Sequence, residues 1–227
     1  MADKKHLVKV LNIKEVTHDV KSFRLEKPND YKFTPGQATH VSINKPSLDK
    51  KRRPFTFTSL NSDSHLEFTI KMYKDHEDGM TKHLFLVREG DEFIIENPWG
   101  SIQYKGPGVF IAGGAGVTPF IAILRDLRKK EKLHGNTLIF SNKTSNDIIL
   151  EPEFKEMESE GLKCIFTLTQ ENKTGYENKR IDETFLKEKI SDFQQNFYIC
   201  GPVRMVGEIQ STLKNLGASP DSVVLES

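Results

Sequence analysis

The chain has 227 residues with 36% hydrophobic and 29% charged side chains, which is typical of a soluble globular protein with one large or two modest domains. A formal net charge of +1 gives no reason to expect binding to nucleic acid or to a membrane surface. There is no apolar run long enough for a membrane span, and the charged start MADKKHLVKV lacks the apolar stretch of a secretory signal, so we expect a cytoplasmic protein. Two cysteines, Cys164 and Cys200, are too few for a disulfide framework or for an iron–sulfur cluster.

Residues 1–104 have the pattern of strands separated by turns. Short runs rich in Val, Ile, Phe and Thr predict the strands LVKVLNI, KSFRLEK, ATHVSIN, RPFTFTS, LEFTIKMY and EFIIEN. Turn residues such as Pro35-Gly36 and Asn97-Pro98 separate them, and Met80–Val87 is predicted as a short helix. Many short strands with turns between them predict an antiparallel barrel or sandwich.

Residues 109–227 have a different pattern, in which strands alternate with helices. The predicted strands are VFIAG, TLIFS, KCIFTLT, NFYIC and SVVLE. The last helix carries the apolar stripe Val206, Ile209, Leu213 and Leu216, and Gly217 follows it as the expected C′ residue. This alternation predicts a Rossmann-like parallel sheet, and Lys105–Gly108 before it is predicted as a hinge or linker.

Two turns rich in glycine and proline follow strands of the second domain. In the first, Gly113–Pro119, Thr118 is predicted to cap the next helix and Pro119 to occupy its first position. The second is Cys200-Gly201-Pro202. Glycines let a backbone approach a pyrophosphate, and both turns lie at the carboxyl edge of the sheet, where ligands bind. Each turn alone is also common as a plain strand-to-helix connection, so their joint placement predicts a nucleotide site.

Four segments resemble motifs of the ferredoxin–NADP⁺ reductase superfamily, in the family's order. Arg53-Pro54-Phe55-Thr56 resembles its flavin motif Arg-x-Tyr/Phe-Ser/Thr, and Gly79-Met80-Thr81 resembles its pyrophosphate motif Gly-x-x-Ser/Thr. The segment GAGVTP (114–119) resembles its nucleotide loop Gly-x-Gly-x-x-Pro, and CGPVRM (200–205) resembles its Cys-Gly-Pro-x-x-Met segment. The resemblance implies an N-terminal antiparallel β-barrel that binds FAD (1–104), followed by an α/β Rossmann-like domain that binds NADH or NADPH (109–227).

The resemblance implies FAD contacts for residues of the first domain. Arg53 suits a flavin phosphate because a guanidinium offers a fixed fork of donors, although it ends a basic run that also suits plain solvation. Phe55 is expected to pack its ring near the isoalloxazine, and Thr56 to place a hydroxyl near the flavin N5. Because strand neighbours point to opposite faces, a bulge or a strand end is needed for both to reach the flavin. Further contacts are implied for Pro54, Ile70, Lys71, Met72, the ring of Tyr73, Gly79, Met80 and Thr81.

In the second domain the resemblance implies a nucleotide site. Its contacts are implied for Gly114, Gly116, Val117, Thr118, Cys200, Gly201, Pro202 and Met205. Cys200 near the nicotinamide C4, Thr56 near the flavin N5 and Glu226 near the flavin edge are the predicted catalytic residues. Hydride transfer needs proximity and orientation more than acid–base chemistry, and the sequence contains no convincing Ser/His/Asp triad or paired-histidine metal motif.

Two features depart from the family pattern. Many relatives end in an aromatic residue that covers the flavin, whereas this chain ends VLES, so we expect that face to be open or covered by an aliphatic residue. NADPH-specific relatives often carry Ser-Arg after the third strand of this domain, where this chain has TQENK (169–173). Glu171 disfavours a 2′-phosphate while Lys173 and Lys143 favour one, and the balance favours NADH.

These features predict an FAD-dependent NAD(P)H oxidoreductase that passes electrons to a separate soluble carrier, such as a flavodoxin, a ferredoxin or an oxygenase component. Basic residues on the barrel rim, Lys50, Lys51 and Arg52, are candidates for docking an acidic carrier. Two other functions stay open at this stage. One is a non-enzymatic nucleotide-sensing or regulatory subunit on the same fold, and the other is a siderophore or free-flavin reductase.

Overall fold

A computed structural model describes residues 4–73, 80–100 and 102–225 of the chain. The chain forms two compact units, Met1–Gly100 and Ser101–Ser227, and each contains one sheet with its own buried apolar core. Within the described ranges, every helix is too short or too polar to cross a membrane. An antiparallel sheet followed by a parallel one confirms the predicted fold class.

The first unit is built from six antiparallel strands and one short helix. Its elements are β1 (His6–Thr17), β2 (Val20–Glu26), β3 (Ala38–Ile43), β4 (Arg53–Thr56), β5 (His65–Lys71), α1 (Met80–His83) and β6 (Glu92–Ile95). Hydrogen bonds link the strands in the order β4-β3-β6-β1-β2-β5. The two end strands are joined by an antiparallel bridge between Phe57 and Phe68 and by a 2.8 Å hydrogen bond from the Thr58 N–H to the Glu67 carbonyl. The sheet therefore closes into a barrel.

Phe57 lies in the core of this barrel and is fully buried. Its ring stacks on Phe33 at 4.2 Å between centroids and lies 5.0 Å from the Phe68 ring and 5.9 Å from the Tyr31 ring. Burying one such ring stabilises the fold by about 2–3 kcal/mol. The cluster holds the end of β4, which precedes Phe57, against β5, which contains Phe68.

The second unit is a parallel sheet with four helices. Its elements are β7 (Gly108–Gly113), α2 (Thr118–Lys129), β8 (Thr137–Asn142), α3 (Glu151–Ser159), β9 (Lys163–Leu168), α4 (Glu183–Lys189), β10 (Asn196–Cys200), α5 (Val203–Asn215) and β11 (Val223–Leu225). The strands follow the order β11-β10-β7-β8-β9. The chain starts in the middle at β7, adds β8 and β9 on one side, and then crosses to β10 on the other. The strand order therefore reverses between β7 and β10, which is a topological switch point.

The end of α5 confirms the prediction for the last helix. Gly217 has a φ of +93°, its N–H donates to the Lys214 carbonyl at 3.1 Å, and the Ala218 N–H donates to the Leu213 carbonyl at 2.9 Å. This is a Schellman motif, in which a residue in the left-handed region ends the helix. The predicted apolar stripe packs on the core of this unit: Val206, Ile209, Leu213 and Leu216.

The segment Lys105–Gly108 is tied down within the second unit. The N–H groups of Lys105 and Gly106 donate to the Tyr198 hydroxyl at 2.9 and 3.1 Å, and that hydroxyl donates to the Gly106 carbonyl at 2.8 Å. The prediction of a hinge is therefore wrong for this segment. Its partner lies 92 residues further along the chain from Gly106, beyond the reach of any local pattern.

Candidate functional site

The two predicted glycine turns lie side by side at the carboxyl edge of the parallel sheet. One follows β7 and the other follows β10, and these strands pair so that Ala112 lies opposite Cys200. The turns therefore leave the sheet at the same level, on either side of the switch point. In open α/β sheets this crevice is where ligands bind.

Glycine is required where the backbones of the two turns meet. A Cβ on Gly116 would lie 2.5 Å from the carbonyl carbon of Cys200 and 2.6 Å from the Gly201 Cα. A Cβ on Gly113 would lie 2.7 Å from the Met205 Sδ, and one on Gly201 would lie 2.7 Å from the Met205 Cε. Real Cβ atoms do not approach this closely, so Gly113, Gly116 and Gly201 serve the packing of turn on turn. Met205 fills the space that their missing side chains leave.

Gly114 is the glycine whose surroundings are open. It has a φ of +52°, and a Cβ at this position would meet no atom within 4 Å. It begins a 3₁₀ helix, Gly114–Val117, and the first N–H groups of such a helix have no acceptor within it. The turn thus offers donors next to open space, which fits the approach of a pyrophosphate.

Thr118 does not cap α2, so this part of the sequence prediction is wrong. The 3₁₀ helix runs directly into α2, and the capping position falls on Val117, which has helical dihedral angles and no side-chain cap. The Thr118 hydroxyl donates instead to the Ala115 carbonyl at 3.0 Å. Pro119 lies in the first helical turn, where its missing N–H costs nothing.

Cys200 and Asn142 are buried at the same edge of the sheet, 4% and 5% exposed. Cys200 ends β10, and the close approach of Gly116 to its carbonyl fixes its backbone. Asn142 ends β8, and neither its Oδ1 nor its Nδ2 forms a hydrogen bond with any part of the chain that the structure describes. A buried amide without partners is costly, so a polar group of a ligand is a suitable partner for it. Sequence reasoning missed Asn142, although a polar residue that ends an apolar strand is a detectable signal.

The ends of β8 and β9 are joined by a carboxylate. The Glu171 carboxylate accepts hydrogen bonds from the Ser145 N–H at 2.6 Å and from the Ser145 hydroxyl at 3.2 Å. The Lys173 ammonium donates to the same hydroxyl at 2.9 Å. The Ser145 N–H is the largest influence that holds the pKa of the Glu171 carboxyl below its ordinary value. Glu171 is therefore charged at neutral pH.

The barrel has an open seam between β4 and β5, defined as Arg53–Thr56 on one side and Ile70–Tyr73 on the other. Beyond the Phe57–Phe68 bridge these strands form no ladder within the described chain. The register of that bridge, extended in antiparallel steps, sets Phe55 opposite Ile70 and Arg53 opposite Met72. The two sequence segments with implied flavin contacts thus lie on facing edges of one seam.

The backbone of Lys71 faces this seam. The Met72 N–H donates to the Asp19 carbonyl at 2.8 Å on the β2 side, so its neighbour Lys71 points its N–H and C=O the other way. The Lys71 side chain pairs with the Asp19 carboxylate at 2.8 Å. Ile70 and Met72 are buried in the barrel core, and the Met72 amide is already engaged, which contradicts its expected contact with FAD.

The side chains along the seam differ in exposure. Arg53 and Pro54 are exposed, Phe55 is half-buried against the core with its ring 6.5 Å from Phe68, and Thr56 is 6% exposed. β4 ends at Thr56, which supplies the strand end that the sequence argument requires. Tyr73 is an aromatic side chain that is 46% exposed. A guanidinium, unpaired backbone groups and an exposed ring are suited to a phosphate and a planar heterocycle.

The remaining predicted residues have different outcomes. Met80 begins α1 and is buried in the barrel core, and Thr81 follows it half-buried. Gly79 and Glu226 lie outside the described residues, so their predicted roles stay predictions. Val117 is fully buried and Pro202 precedes α5.

Arg52 is not a free charge for docking a partner. Its Nη1 donates to the Glu96 carboxylate at 2.9 Å, and His40 Nδ1 lies 3.1 Å from the other oxygen of that carboxylate. Glu96 is 5% exposed, and a buried carboxylate requires such partners. The docking role predicted for Arg52 is thereby corrected, and Lys50 and Lys51 remain candidates.

Comparison with known proteins identifies the family. A family model of the oxidoreductase FAD-binding domain matches residues 7–104, and one of the oxidoreductase NAD-binding domain matches residues 110–211. The chain is 27% identical to NADH-cytochrome b5 reductase 2 of Botryotinia fuckeliana, over 95% of this chain and 70% of that relative. It is 26% identical to the reductase component of propane 2-monooxygenase of Rhodococcus jostii, over 95% of this chain and 61% of that relative. The crystal structure of a Neisseria gonorrhoeae ferredoxin NADP⁺ reductase with bound FAD and NADP shares the fold, with a TM-score of 0.86, 20% identity and 98% of each chain covered.

A barrel with an open seam, followed by a doubly wound sheet with two glycine turns at its switch point, defines a flavoprotein that uses a nucleotide. The chain belongs to the ferredoxin reductase-like family of FAD- and NAD-binding oxidoreductases. The predicted resemblance, the enzyme class of NAD(P)H-dependent flavin oxidoreductases and both cofactors are confirmed. The open surroundings of Gly114, the buried amide of Asn142 and the unpaired seam of the barrel fit these groups.

Proposed function

We propose that the protein takes a hydride from a reduced nicotinamide nucleotide held by its second unit and passes the electrons, through FAD held by its first unit, to a separate electron carrier. The observation that supports this most is the pair of glycine turns packed together at the switch point, with Cys200 at the strand end between them. The predicted flavin residues on facing edges of one seam support the other half of the proposal. We also propose that the protein is cytoplasmic.

The residues of the chain would act by binding and orientation. The N–H groups at the start of the 3₁₀ helix hold the pyrophosphate of the nucleotide beside Gly114, and Cys200 lies beside the nicotinamide. Arg53 binds a flavin phosphate, the Lys71 backbone pairs with the edge of the ring system, and Thr56 presents its hydroxyl to it. FAD, when bound, accepts two electrons as hydride and can release them one at a time. Holding the two groups in contact is the main requirement for this reaction.

A separate carrier as acceptor is supported by the names of the relatives. They include NADH-cytochrome b5 reductases, an oxygenase reductase component and a ferredoxin–NAD(P)⁺ reductase component of a naphthalene dioxygenase system. The two cysteines of the chain are both free thiols, and one cluster would need about four thiolates. We therefore propose a ferredoxin, a flavodoxin, a cytochrome or an oxygenase component as the acceptor, docked in part by Lys50 and Lys51.

The test is anaerobic reduction of the FAD-loaded protein, followed by absorbance at 450 nm. NADH or NADPH is expected to bleach the flavin within seconds, and a protein carrier is expected to restore the absorbance. Protein that fails to retain FAD or to be reduced by either nucleotide would contradict the proposal and favour a nucleotide-sensing subunit. Faster reoxidation by ferric chelates or by free FMN than by any protein carrier would favour the alternative reductases.

The two cysteines supply a matched pair of variants for this assay. We expect Cys200→Ser to slow flavin reduction about tenfold, because a changed group at the nicotinamide position disturbs orientation. Cys164→Ser, at the amino end of β9, is expected to leave the rate within about twofold. Burial raises the pKa of the Cys164 thiol to about 12, so this control thiol is also chemically inert. Equal rates for the two variants would remove Cys200 from the proposed site.

A further inference from the structure

The polar groups at the ends of β8 and β9 suggest which nucleotide the site accepts. This inference rests on the proposed function. In a doubly wound sheet, the dinucleotide lies across the carboxyl edge, and its adenosine ribose reaches the strand next to the phosphate-binding turn. Here the turn follows β7 and the neighbouring strand is β8, which ends at Asn142. The groups that follow β8 are therefore the ones that meet the ribose 2′ position.

Two backbone donors after β8 are already bound to carboxylates of this chain. The Ser145 N–H is taken by Glu171 at 2.6 Å, and the Thr144 N–H is taken by Asp147 at 2.8 Å. The hydroxyls of both residues point to the same carboxylates, at 3.2 and 2.7 Å. Asp147 belongs to the local capping of its own turn, whereas Glu171 reaches across from the loop after β9.

The backbone fixes the position of Glu171 as firmly as its side chain does. The ladder between β8 and β9 continues beyond the strands, with hydrogen bonds from the Thr169 N–H to the Asn142 carbonyl at 3.0 Å and from the Gln170 N–H to the Lys143 carbonyl at 2.9 Å. Glu171 follows directly. Its carboxylate therefore has a defined place beside Ser145 and is a permanent negative charge there.

We infer that Glu171 makes this site selective for NADH over NADPH. The carboxylate occupies the donors that a 2′-phosphate needs, and it repels a second anion at close range. A ribose 2′-hydroxyl is a neutral donor and finds an acceptor in the same carboxylate. Lys173 donates to the Ser145 hydroxyl, which places it beside Glu171, where its charge is offset.

The test compares the wild-type protein with Glu171→Gln and Glu171→Ser. Glutamine keeps an acceptor for the Ser145 N–H without the charge, and serine also vacates the position. Glu188→Gln is the matched control, because it removes one charge from an ion pair with Lys179 on α4. Two measurements are made: kcat/KM for NADH and NADPH with ferricyanide as acceptor, and calorimetric binding of NAD⁺ and NADP⁺, which does not depend on electron transfer.

Wild-type protein is expected to favour NADH and NAD⁺ in both measurements. Both Glu171 variants are expected to lower the NADH/NADPH ratio at least about tenfold, through KM for NADPH and with kcat little changed, and the Glu188 control is expected to leave it within about twofold. Wild-type preference for NADPH, or an unchanged ratio in both variants, would overturn the inference and leave the proposed function standing. NAD⁺ preference in calorimetry without any flavin reduction would support the inference and contradict the proposed function. Binding of neither nucleotide would overturn both.

Discussion

Gly116 is a residue whose replacement separates local from tertiary effects. A methyl group at this position would meet the backbone of Cys200 and Gly201, which cannot move without displacing the second glycine turn. We expect Gly116→Ala to lower the free energy of unfolding by about 2 kcal/mol or more and to raise KM for the nucleotide. Urea unfolding and steady-state kinetics measure the two effects.

Gly207→Ala is the control for this variant. Gly207 lies inside α5, and a Cβ there would meet no atom within 4 Å. Alanine is favoured over glycine in a helix, so the control is expected to stabilise the protein by about 0.5–1 kcal/mol with unchanged kinetics. If both alanine variants behave alike, the close packing of the two turns does not constrain the site.

The roles of single residues could be predicted from the sequence only where they depend on local chemistry. The glycine turns and Cys200 were found because a strand followed by glycine and proline is a local pattern. That Gly116 serves turn-on-turn packing, and that Glu96 engages Arg52, depends on strands that meet only in the folded chain. Asn142 was missed because its lack of partners is a property of burial in three dimensions.

At the scale of elements, Tyr31 ties the connection between β2 and β3 to the barrel. Its hydroxyl donates to the Glu96 carbonyl at 2.6 Å, and burial raises the pKa of Tyr31 to about 12 from an ordinary value of 10.0. A raised pKa means that the folded state favours the neutral phenol. Its contribution is therefore complete below pH 10 and is lost as the pH rises towards 12.

This contribution is measurable as a difference between wild type and Tyr31→Phe. We expect the variant to be less stable by about 1–2 kcal/mol at pH 8, because it loses one buried hydrogen bond. The difference should shrink between pH 10 and 12 by an amount on the order of 2 kcal/mol, since only the wild type must ionise a buried phenol. Urea unfolding at several pH values gives both numbers, and subtraction cancels the lysines that titrate in the same range. A difference that stays constant up to pH 12 would exclude this role.

Element boundaries were predicted well where one residue type decides them and poorly where two elements merge. Gly217 ends α5 as predicted, because a left-handed residue after a helix favours glycine strongly. The start of α2 was misplaced because the glycine turn winds into a 3₁₀ helix before Thr118. A threonine next to proline has the same local signal whether it caps a helix or continues one.

At the scale of the whole molecule, the change of pattern near residue 105 predicted the two kinds of sheet. Alternating strands and helices require a parallel sheet, and strands joined by short turns favour an antiparallel one. The order of strands could not be derived in this way. The switch point between β7 and β10, and the seam between β4 and β5, depend on which strands pair at long range, and both define candidate sites.

Two units with separate cores lead to a prediction for ligand removal. Protein stripped of FAD is expected to unfold in two calorimetric transitions, and each can be assigned by variant: Tyr31→Phe lowers the transition of the barrel and Gly116→Ala that of the parallel sheet. FAD at about 100 times its Kd stabilises the unit that binds it by about 2.7 kcal/mol, which raises that midpoint by roughly 10 °C or more. NAD⁺ should raise the other midpoint instead. If FAD moves only the transition that Gly116→Ala lowers, the open seam of the barrel is not the flavin site.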